Sequence, residues 1–121
     1  MRRILVVATD SEARARTART LRELGYAVEA RRAPDRAVAR VARRRPAAII
    51  VDAQLGSQSC SSFVEACRRE VSAQDMPILV VAATPRAAID MIRAGAQGCV
   101  KAPVEPANLA PMLSQVHVPA A

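Results

Sequence analysis

Residues 47–52 read AAIIVD, a nearly continuous run of small and β-branched apolar residues that ends at a carboxylate, Asp52. Two further runs of the same kind, RILVVA (3–8) and PILVVAA (77–83), occur before and after it along the chain. Strands that read as unbroken Val, Ile and Leu are covered on both faces, which is typical of the inner strands of a parallel sheet. The three runs therefore predict a buried parallel sheet.

Two shorter apolar runs, AVEA (27–30) and GCVK (98–101), raise the number of predicted strands to five. The segments between and after the strands have helical spacing. The predicted helices cover residues 11–24, a segment from Pro34 to just before Pro46, residues 58–71, residues 86–94 and a last segment that begins at Pro106. Strand and helix alternate five times, which predicts one α/β domain over residues 1–121, a doubly wound parallel sheet with helices on both faces.

The composition limits the classes of function. The chain has 121 residues, a net charge of +7 and two aromatic residues, Tyr26 and Phe63. Seven arginines lie between Arg31 and Arg45, but aromatic residues for base stacking and zinc or helix-turn-helix patterns are missing, so specific nucleic-acid binding is not expected. No apolar run approaches the roughly 20 residues that span a bilayer, and the cysteine spacing is not that of a metal site. We expect a cytoplasmic protein with reduced thiols and no membrane partner.

In a doubly wound sheet, functional residues gather at the carboxyl ends of the strands. Besides Asp52, those ends carry Ala8, Thr9, Asp10, Ala82, Ala83, Thr84, Lys101 and Ala102. The first strand is not followed by a Gly-rich loop, which argues against a dinucleotide or P-loop nucleotide site. No Ser/His/Asp or Cys/His set converges, because the one histidine, His117, lies near the C-terminus. We therefore expect no catalytic residues and no enzyme activity.

In order and spacing, these segments resemble the receiver domain of bacterial two-component response regulators, the CheY-like proteins. RILVVATDSEARARTARTLRELGY (3–26) is similar to the family's first strand and helix, and RPAAIIVDAQL (45–55) to the strand that ends at the phosphoacceptor aspartate. MPILVVAAT (76–84) and AIDMIRAGAQGCVKAPVEPANL (88–109) are similar to the fourth strand, the Gly-Ala turn, the fifth strand and the Lys-Pro segment. The resemblance implies a flavodoxin-like (βα)5 fold with strand order 2-1-3-4-5, and it places Asp52 at the phosphoacceptor position.

The family's reaction, as the resemblance implies, is phosphoryl transfer from a histidine kinase or a small phosphodonor to this aspartate. Carboxylate attack on phosphorus brings two anions together, so it needs Mg²⁺ and cationic or polar side chains. The family supplies an acidic pair after the first strand, a Thr or Ser after the fourth, and a Lys just before the Pro after the fifth. In their places this chain has Ala8 and Thr9, Ala82, and Ala102. Gly56 also replaces a proline, and Cys99 replaces an aromatic residue.

Two residues adjacent to these positions are candidates to replace the missing groups. Asp10 follows the position of the acidic pair and is, with Asp52, a candidate metal ligand, although its place before Ser11 also fits the N-cap of a helix. Lys101 lies one residue before the expected lysine. Successive strand residues point to opposite faces, so without a bulge the Lys101 ammonium group misses the site. We expect no cofactor, and Mg²⁺ only if Asp52 is phosphorylated.

Two hypotheses about function follow. In the first, the chain is a degenerate receiver, or pseudo-receiver, that acts in signal transduction as a protein-interaction module without phosphorylation. In the second, a histidine kinase still phosphorylates Asp52. The partner is a histidine kinase, an output domain or a second copy of the chain. Its predicted contact surface, on the fourth helix, fifth strand and fifth helix, contains Arg86, Asp90, Met91, Arg93, Lys101 and Glu105.

The sequence also makes two local predictions. If the fourth helix begins near residue 86, Ile89 and Ile92 face the sheet and Met91 is at least partly exposed. The peptide bond Ala102–Pro103 is expected to be cis, as is common at the matching proline of receivers, because an X–Pro bond takes that form at a cost of only about 0.5–1 kcal/mol.

Overall fold

The computed structural model of the protein describes residues 2–32, 37–55 and 57–119. Within these ranges lie five strands, β1 (Arg3–Val7), β2 (Ala27–Arg31), β3 (Ala48–Asp52), β4 (Ile78–Ala82) and β5 (Gly98–Lys101). Five helices alternate with them, α1 (Ser11–Glu23), α2 (Ala37–Arg43), α3 (Ser57–Glu70), α4 (Ile89–Ala94) and α5 (Pro106–Gln115). Short 3₁₀ turns, Ala53–Leu55 and Pro85–Ala88, follow β3 and β4. The predicted helix start at Pro34 and the predicted departure at Gly56 lie outside the described residues.

The strands form a single parallel sheet in the order β2-β1-β3-β4-β5. This confirms the predicted flavodoxin-like topology. The chain leaves β1 toward β2 on one side and later returns to β3 on the other, so the carboxyl ends of β1 and β3 flank the switch point where doubly wound sheets bind ligands. Asp52 is the last residue of β3 and lies beside this point.

The inner strands β1, β3 and β4 are buried almost throughout, as their continuous apolar sequences predict. Alternate side chains enter two apolar clusters, one on each face of the sheet. The cluster that contains Ile49 also holds residues of α2, α3 and α4, and the cluster that contains Ile50 holds residues of α1 and α5. Because each fully buried aliphatic side chain contributes about 1.5–3 kcal/mol, these two layers fix the helices against the sheet.

The predicted orientation of the fourth helix is wrong. Met91 is fully buried, with 0% of its surface exposed, whereas Ile89 and Ile92 are 42% and 41% exposed. Met91 packs in the same apolar cluster as Ile49 of β3. Met91 therefore belongs to the core, and the two isoleucines lie on the surface.

The turn that precedes α4 explains this difference. The chain first makes the 3₁₀ turn Pro85–Ala88, in which the Thr84 hydroxyl accepts a hydrogen bond from the Ala87 N–H. A 3₁₀ turn has about three residues per turn instead of 3.6, so the helix that follows is rotated relative to one that begins at residue 86. As a result Ala88 and Met91, three residues apart, face the sheet.

Glu29 in β2 holds together part of the arginine-rich segment. Its carboxylate accepts hydrogen bonds from Arg3 of β1 at 2.7 Å, from Arg31 of β2 at 2.9 Å, and from Arg40 of α2. Burial alone would raise the pKa of Glu29, but the hydrogen bonds and charges of Arg40 and Arg31 outweigh it, so the pKa is lowered. At least three of the basic residues therefore have a structural role.

The three cysteines, Cys60, Cys67 and Cys99, are free thiols. Burial raises the pKa of Cys60 and of Cys67 to about 11, so both are protonated at neutral pH and neither is a thiolate nucleophile.

Across the described part of the chain, every helix is too short or too polar to cross a membrane.

Candidate functional site

A cleft of about 530 Å³ opens at the carboxyl edge of the sheet. The first turns of α1, the segment after β3, the segment after β4 and the loop after β5 form its walls. Its lining residues are Asp10, Glu12, Ala13, Arg16, Thr17, Asp52, Ala53, Gln54, Val81, Ala82, Ala83, Ala87, Ala102, Pro103 and Val104. The fold thus brings Asp10, Asp52, Ala82 and Ala102 to one place, as the strand order predicts.

Asp52 lies deep in this cleft, with 9% of its surface exposed. Its Oδ1 atom accepts a hydrogen bond from the backbone N–H of Gln54 at 2.9 Å, which fixes the carboxylate over the first residues after β3. Burial raises the pKa of Asp52, and the nearby Asp10 carboxylate acts in the same direction, against the hydrogen bond from Gln54. The site therefore disfavours a negative charge on Asp52, and none of the ion pairs among the described residues includes this carboxylate.

The end of β1 carries small residues in the place of an acidic pair. Ala8 is buried, and its backbone N–H donates to the Arg31 carbonyl of β2 at 3.0 Å. Arg14 of α1 donates to the carbonyl oxygens of Ala8 at 2.9 Å and Thr9 at 3.2 Å. This arginine thus engages the backbone oxygens at the end of β1 from the side of α1.

Asp10 caps α1. Its Oδ2 atom accepts a hydrogen bond from the Ala13 N–H at 2.8 Å, the geometry of an N-cap carboxylate. This confirms the capping role predicted for Asp10 before Ser11. The same carboxylate also lines the cleft, close enough to Asp52 to influence its pKa.

Lys101 misses the cleft, as strand alternation predicts. In the register of β4 and β5 it lies opposite Ala82, and the next residue, Ala102, is the one that lines the cleft. The Ala102 N–H donates to the Ala82 carbonyl at 3.0 Å, so the strands stay paired up to this point without a bulge. The Ala102–Pro103 bond is cis, which confirms the prediction.

The residues present do not fit a magnesium ion. Mg²⁺ prefers six oxygen ligands in octahedral geometry and usually takes one or two carboxylates that are free to bind it. Across residues 2–32, 37–55 and 57–119, no three His, Cys, Asp or Glu side chains lie close enough together to hold a metal. Asp10 is already engaged in capping α1, and Ala8 is a buried alanine, which has no side-chain oxygen to offer a metal.

The sequence did not predict several of the residues that line the cleft, among them Glu12, Arg16 and Gln54. Glu12 and Arg16 line the cleft from α1, and Gln54 supplies the hydrogen bond to Asp52. The spacing of Glu12 and Arg16 could have predicted that both line the cleft, because residues four apart share one face of a helix. This face of α1 begins beside Asp10. The role of Gln54 has no sequence signal, since its backbone is the donor.

The remaining predicted residues lie on the outer surface of α4, β5 and the start of α5. Arg86, Asp90, Arg93, Lys101 and Glu105 are all exposed. Met91 is the exception and is replaced there by the exposed pair Ile89 and Ile92, the large hydrophobic residues with the greatest exposure among those described.

Comparison with known proteins agrees with this geometry. The family model of the response regulator receiver domain matches residues 4–114. No curated protein sequence matches the chain. The chemotaxis protein CheY4 of Vibrio cholerae shares 27% sequence identity, its structure superimposes with a TM-score of 0.82, and the match covers 96% of this chain and 98% of CheY4.

Two other solved structures share the fold at lower identity. The receiver domain of a sensor histidine kinase from Pseudomonas aeruginosa, with a magnesium ion coordinated in its active-site cleft, is 24% identical over 94% of this chain and 95% of that domain, with a TM-score of 0.83. A response regulator/GGDEF domain protein of a two-component system is 22% identical, with a TM-score of 0.85. That match covers 96% of this chain and 49% of the other protein.

Proposed function

This chain belongs to the response regulator receiver family of two-component signalling, and we propose that it acts there as a protein-interaction module that does not depend on phosphorylation. The observation that carries this proposal is the lining of the cleft around Asp52. Alanine side chains line the cleft at positions 82 and 102, where receivers of this family carry a hydroxyl group and a lysine, and none of the ion pairs among the described residues includes the buried Asp52. In this proposal the chain has no enzyme activity of its own.

The chemistry supports the same conclusion. For Asp52 to attack phosphorus, the charge of the incoming phosphoryl oxygens has to be neutralised, which a divalent cation and a lysine usually do. Lys101 is not among the residues that line the cleft, and the acids of the described residues do not form a magnesium site. Asp52 is a remnant of the phosphoacceptor in this account, fixed by the Gln54 N–H.

The proposed partner surface is an apolar pair surrounded by charge. Ile89 and Ile92 lie one helical turn apart on α4 and remain exposed, although burial would be favourable for both. Exposed charged residues of both signs lie beside them along the chain, Arg86, Asp90 and Arg93, and Lys101 and Glu105 are exposed in β5 and before α5. Contact surfaces of proteins commonly combine apolar anchors with a charged rim. The partner in this proposal is a histidine kinase, an output domain or a second copy of the chain.

A phosphoryl analogue tests the proposal. Beryllofluoride with Mg²⁺ imitates a phosphorylated aspartate, so a working receiver gives new amide resonances around the site in a ¹H–¹⁵N NMR titration. We expect beryllofluoride to leave the spectrum of the wild-type chain unchanged. The spectrum of Asp52→Asn should be equally insensitive to it. Saturable changes at Gln54, Ala82 and Ala102 that the Asp52→Asn variant lacks would contradict the proposal.

One observation favours a second candidate function, a receiver that is still phosphorylated on Asp52 with Mg²⁺. Asp52 is retained at the end of β3, and the Asp10 carboxylate lines the same cleft. Under this alternative, Asp10 and Asp52 would hold the metal, and Asp10 would give up its hydrogen bond from the Ala13 N–H. Beryllofluoride would then cause saturable changes at Gln54, Ala82 and Ala102 in the wild type only.

A further inference from the structure

The cleft has the size and lining of a small-molecule site. Its volume of about 530 Å³ lies within the range of about 300–1,000 Å³ usual for ligand pockets. Its walls are largely small and apolar, with Ala13, Ala53, Ala82, Ala83, Ala87 and Ala102 among them. Because alanine side chains are small, they leave room in the cleft for the apolar part of a ligand.

The charge of the cleft is negative. The carboxylates of Asp10, Glu12 and Asp52 line it, against the single guanidinium of Arg16. Asp52 is more than nine-tenths buried, and only its Oδ1 atom accepts a hydrogen bond from the described residues. The other oxygen, Oδ2, is not among the fully buried atoms of the described residues, so it is open to the cleft that Asp52 lines. A cationic donor bound in the cleft would make a charge-assisted hydrogen bond with it.

We propose that the cleft binds a small organic ammonium ion, a primary amine with a short apolar chain, with its ammonium group on Asp52 and its chain against the alanine walls. An ammonium group has three donors and makes charge-assisted hydrogen bonds to carboxylates. The apolar chain loses its contact with water as it enters the cleft. An anionic ligand would meet the three carboxylates, and a bare metal ion would leave most of the apolar volume unused.

The position of the cleft links such a ligand to the rest of the molecule. Ala83 and Ala87 line the cleft and belong to the segment between β4 and α4. An occupant therefore contacts the segment that leads into the helix carrying Ile89 and Ile92. The binding itself does not depend on the proposed partner surface and is tested separately from it.

An NMR titration of the full chain with hexylammonium chloride tests the inference. We expect saturable shifts at the amides of Asp52, Ala83 and Ala102. We also expect binding at least about tenfold weaker for 1-hexanol and hexanoate, which have the same chain without the cation. Equal binding of the three compounds, or no saturable shift at these amides, would overturn the inference. Nα-acetyl-lysine amide imitates a lysine of a partner protein, and tighter binding of this probe would overturn the assignment to a small molecule.

Variants locate the site. Asp52→Asn keeps the shape and the acceptor for Gln54 but removes the charge, and we expect it to weaken hexylammonium binding at least about tenfold. Glu65→Gln removes a charge from the exposed face of α3 and is expected to bind like the wild type. Ala82→Leu fills the cleft and is expected to abolish binding. If that variant does not fold, Asp52→Asn decides the question, and unchanged affinity in it would overturn the inference.

Discussion

Lys101 in β5 lies opposite Ala82 in β4, one residue before the position from which a side chain reaches the cleft. Because neighbouring residues of a strand project to opposite faces, this single step directs the only lysine of the chain away from Asp52. The chemistry of the site is therefore decided by register as much as by composition, and restoring the right residues in the right register should restore it.

We expect a rebuilt cleft to gain phosphorylation. The variant that combines Ala8→Asp, Thr9→Asp, Ala82→Thr and Ala102→Lys supplies the metal ligands, the hydroxyl and the cation that phosphoryl transfer to Asp52 needs. Incubated with acetyl phosphate and Mg²⁺, it should acquire a phosphoryl group that mass spectrometry detects. The matched control adds Asp52→Asn and should stay unlabelled. Labelling of that control would show that another residue accepts the phosphoryl group.

A carboxylate introduced on α4 should affect stability strongly at one position and weakly at its neighbour. Met91 is fully buried, so Met91→Glu loses packing and buries a carboxylate, and it should lower the free energy of unfolding by more than about 3 kcal/mol. Ile92 is 41% exposed, so Ile92→Glu should change it by less than about 1 kcal/mol. Urea denaturation of the two variants measures the contrast. Equal losses would mean that both side chains are buried.

The comparison of these two residues shows what the sequence can and cannot predict. Unbroken apolar runs such as AAIIVD predicted the parallel sheet, and its topology placed Asp10, Asp52, Ala82 and Ala102 at one edge. The orientation of α4 was missed because a 3₁₀ turn before a helix changes its phase, and because isoleucine is a stronger core residue than methionine on hydrophobicity alone. The cleft was also missed, since its volume depends on segments that are far apart along the chain.

The partner surface, with the isoleucines in place of Met91, gives the prediction about function. A complex of the wild-type chain with a kinase, an output domain or a second copy should weaken at least about tenfold in Ile92→Glu, because a carboxylate would replace an apolar anchor. Asp52→Asn should leave its affinity unchanged. Sedimentation velocity measures self-association, and calorimetry measures binding to a candidate partner. A complex that Asp52→Asn abolishes and Ile92→Glu preserves would favour a working phosphoacceptor.

Asp52 should make stability depend on pH in a particular direction. Burial raises the pKa of Asp52 above its ordinary value of 3.8, so the folded chain holds this proton more tightly than the unfolded chain. As the pH rises from below 3.8 through the raised pKa of the folded chain, Asp52 ionises more readily in the unfolded chain than in the folded one. The free energy of unfolding therefore falls over this range of pH. Asn does not ionise, so Asp52→Asn should be more stable than the wild type at neutral pH.

The extra stability of Asp52→Asn should disappear as the pH falls below 3.8, the ordinary pKa of the group, because Asp52 is then protonated in both the folded and the unfolded chain. Denaturation across this range checks the sign, with Glu65→Gln as an exposed control. A variant that is less stable than the wild type at neutral pH would show that ionised Asp52 has a favourable partner in the folded protein.

The most direct test of a phosphorylation-independent receiver is the labelling of the wild-type chain itself. Acetyl phosphate and Mg²⁺ are incubated with the whole protein, and mass spectrometry then measures phosphoryl addition at Asp52, with Asp52→Asn as the control. We expect the wild type and the control to remain equally unlabelled, because the described residues form no metal site and no lysine is among those that line the cleft. A stoichiometric, hydroxylamine-sensitive phosphoryl group on Asp52 that the control lacks would contradict the account.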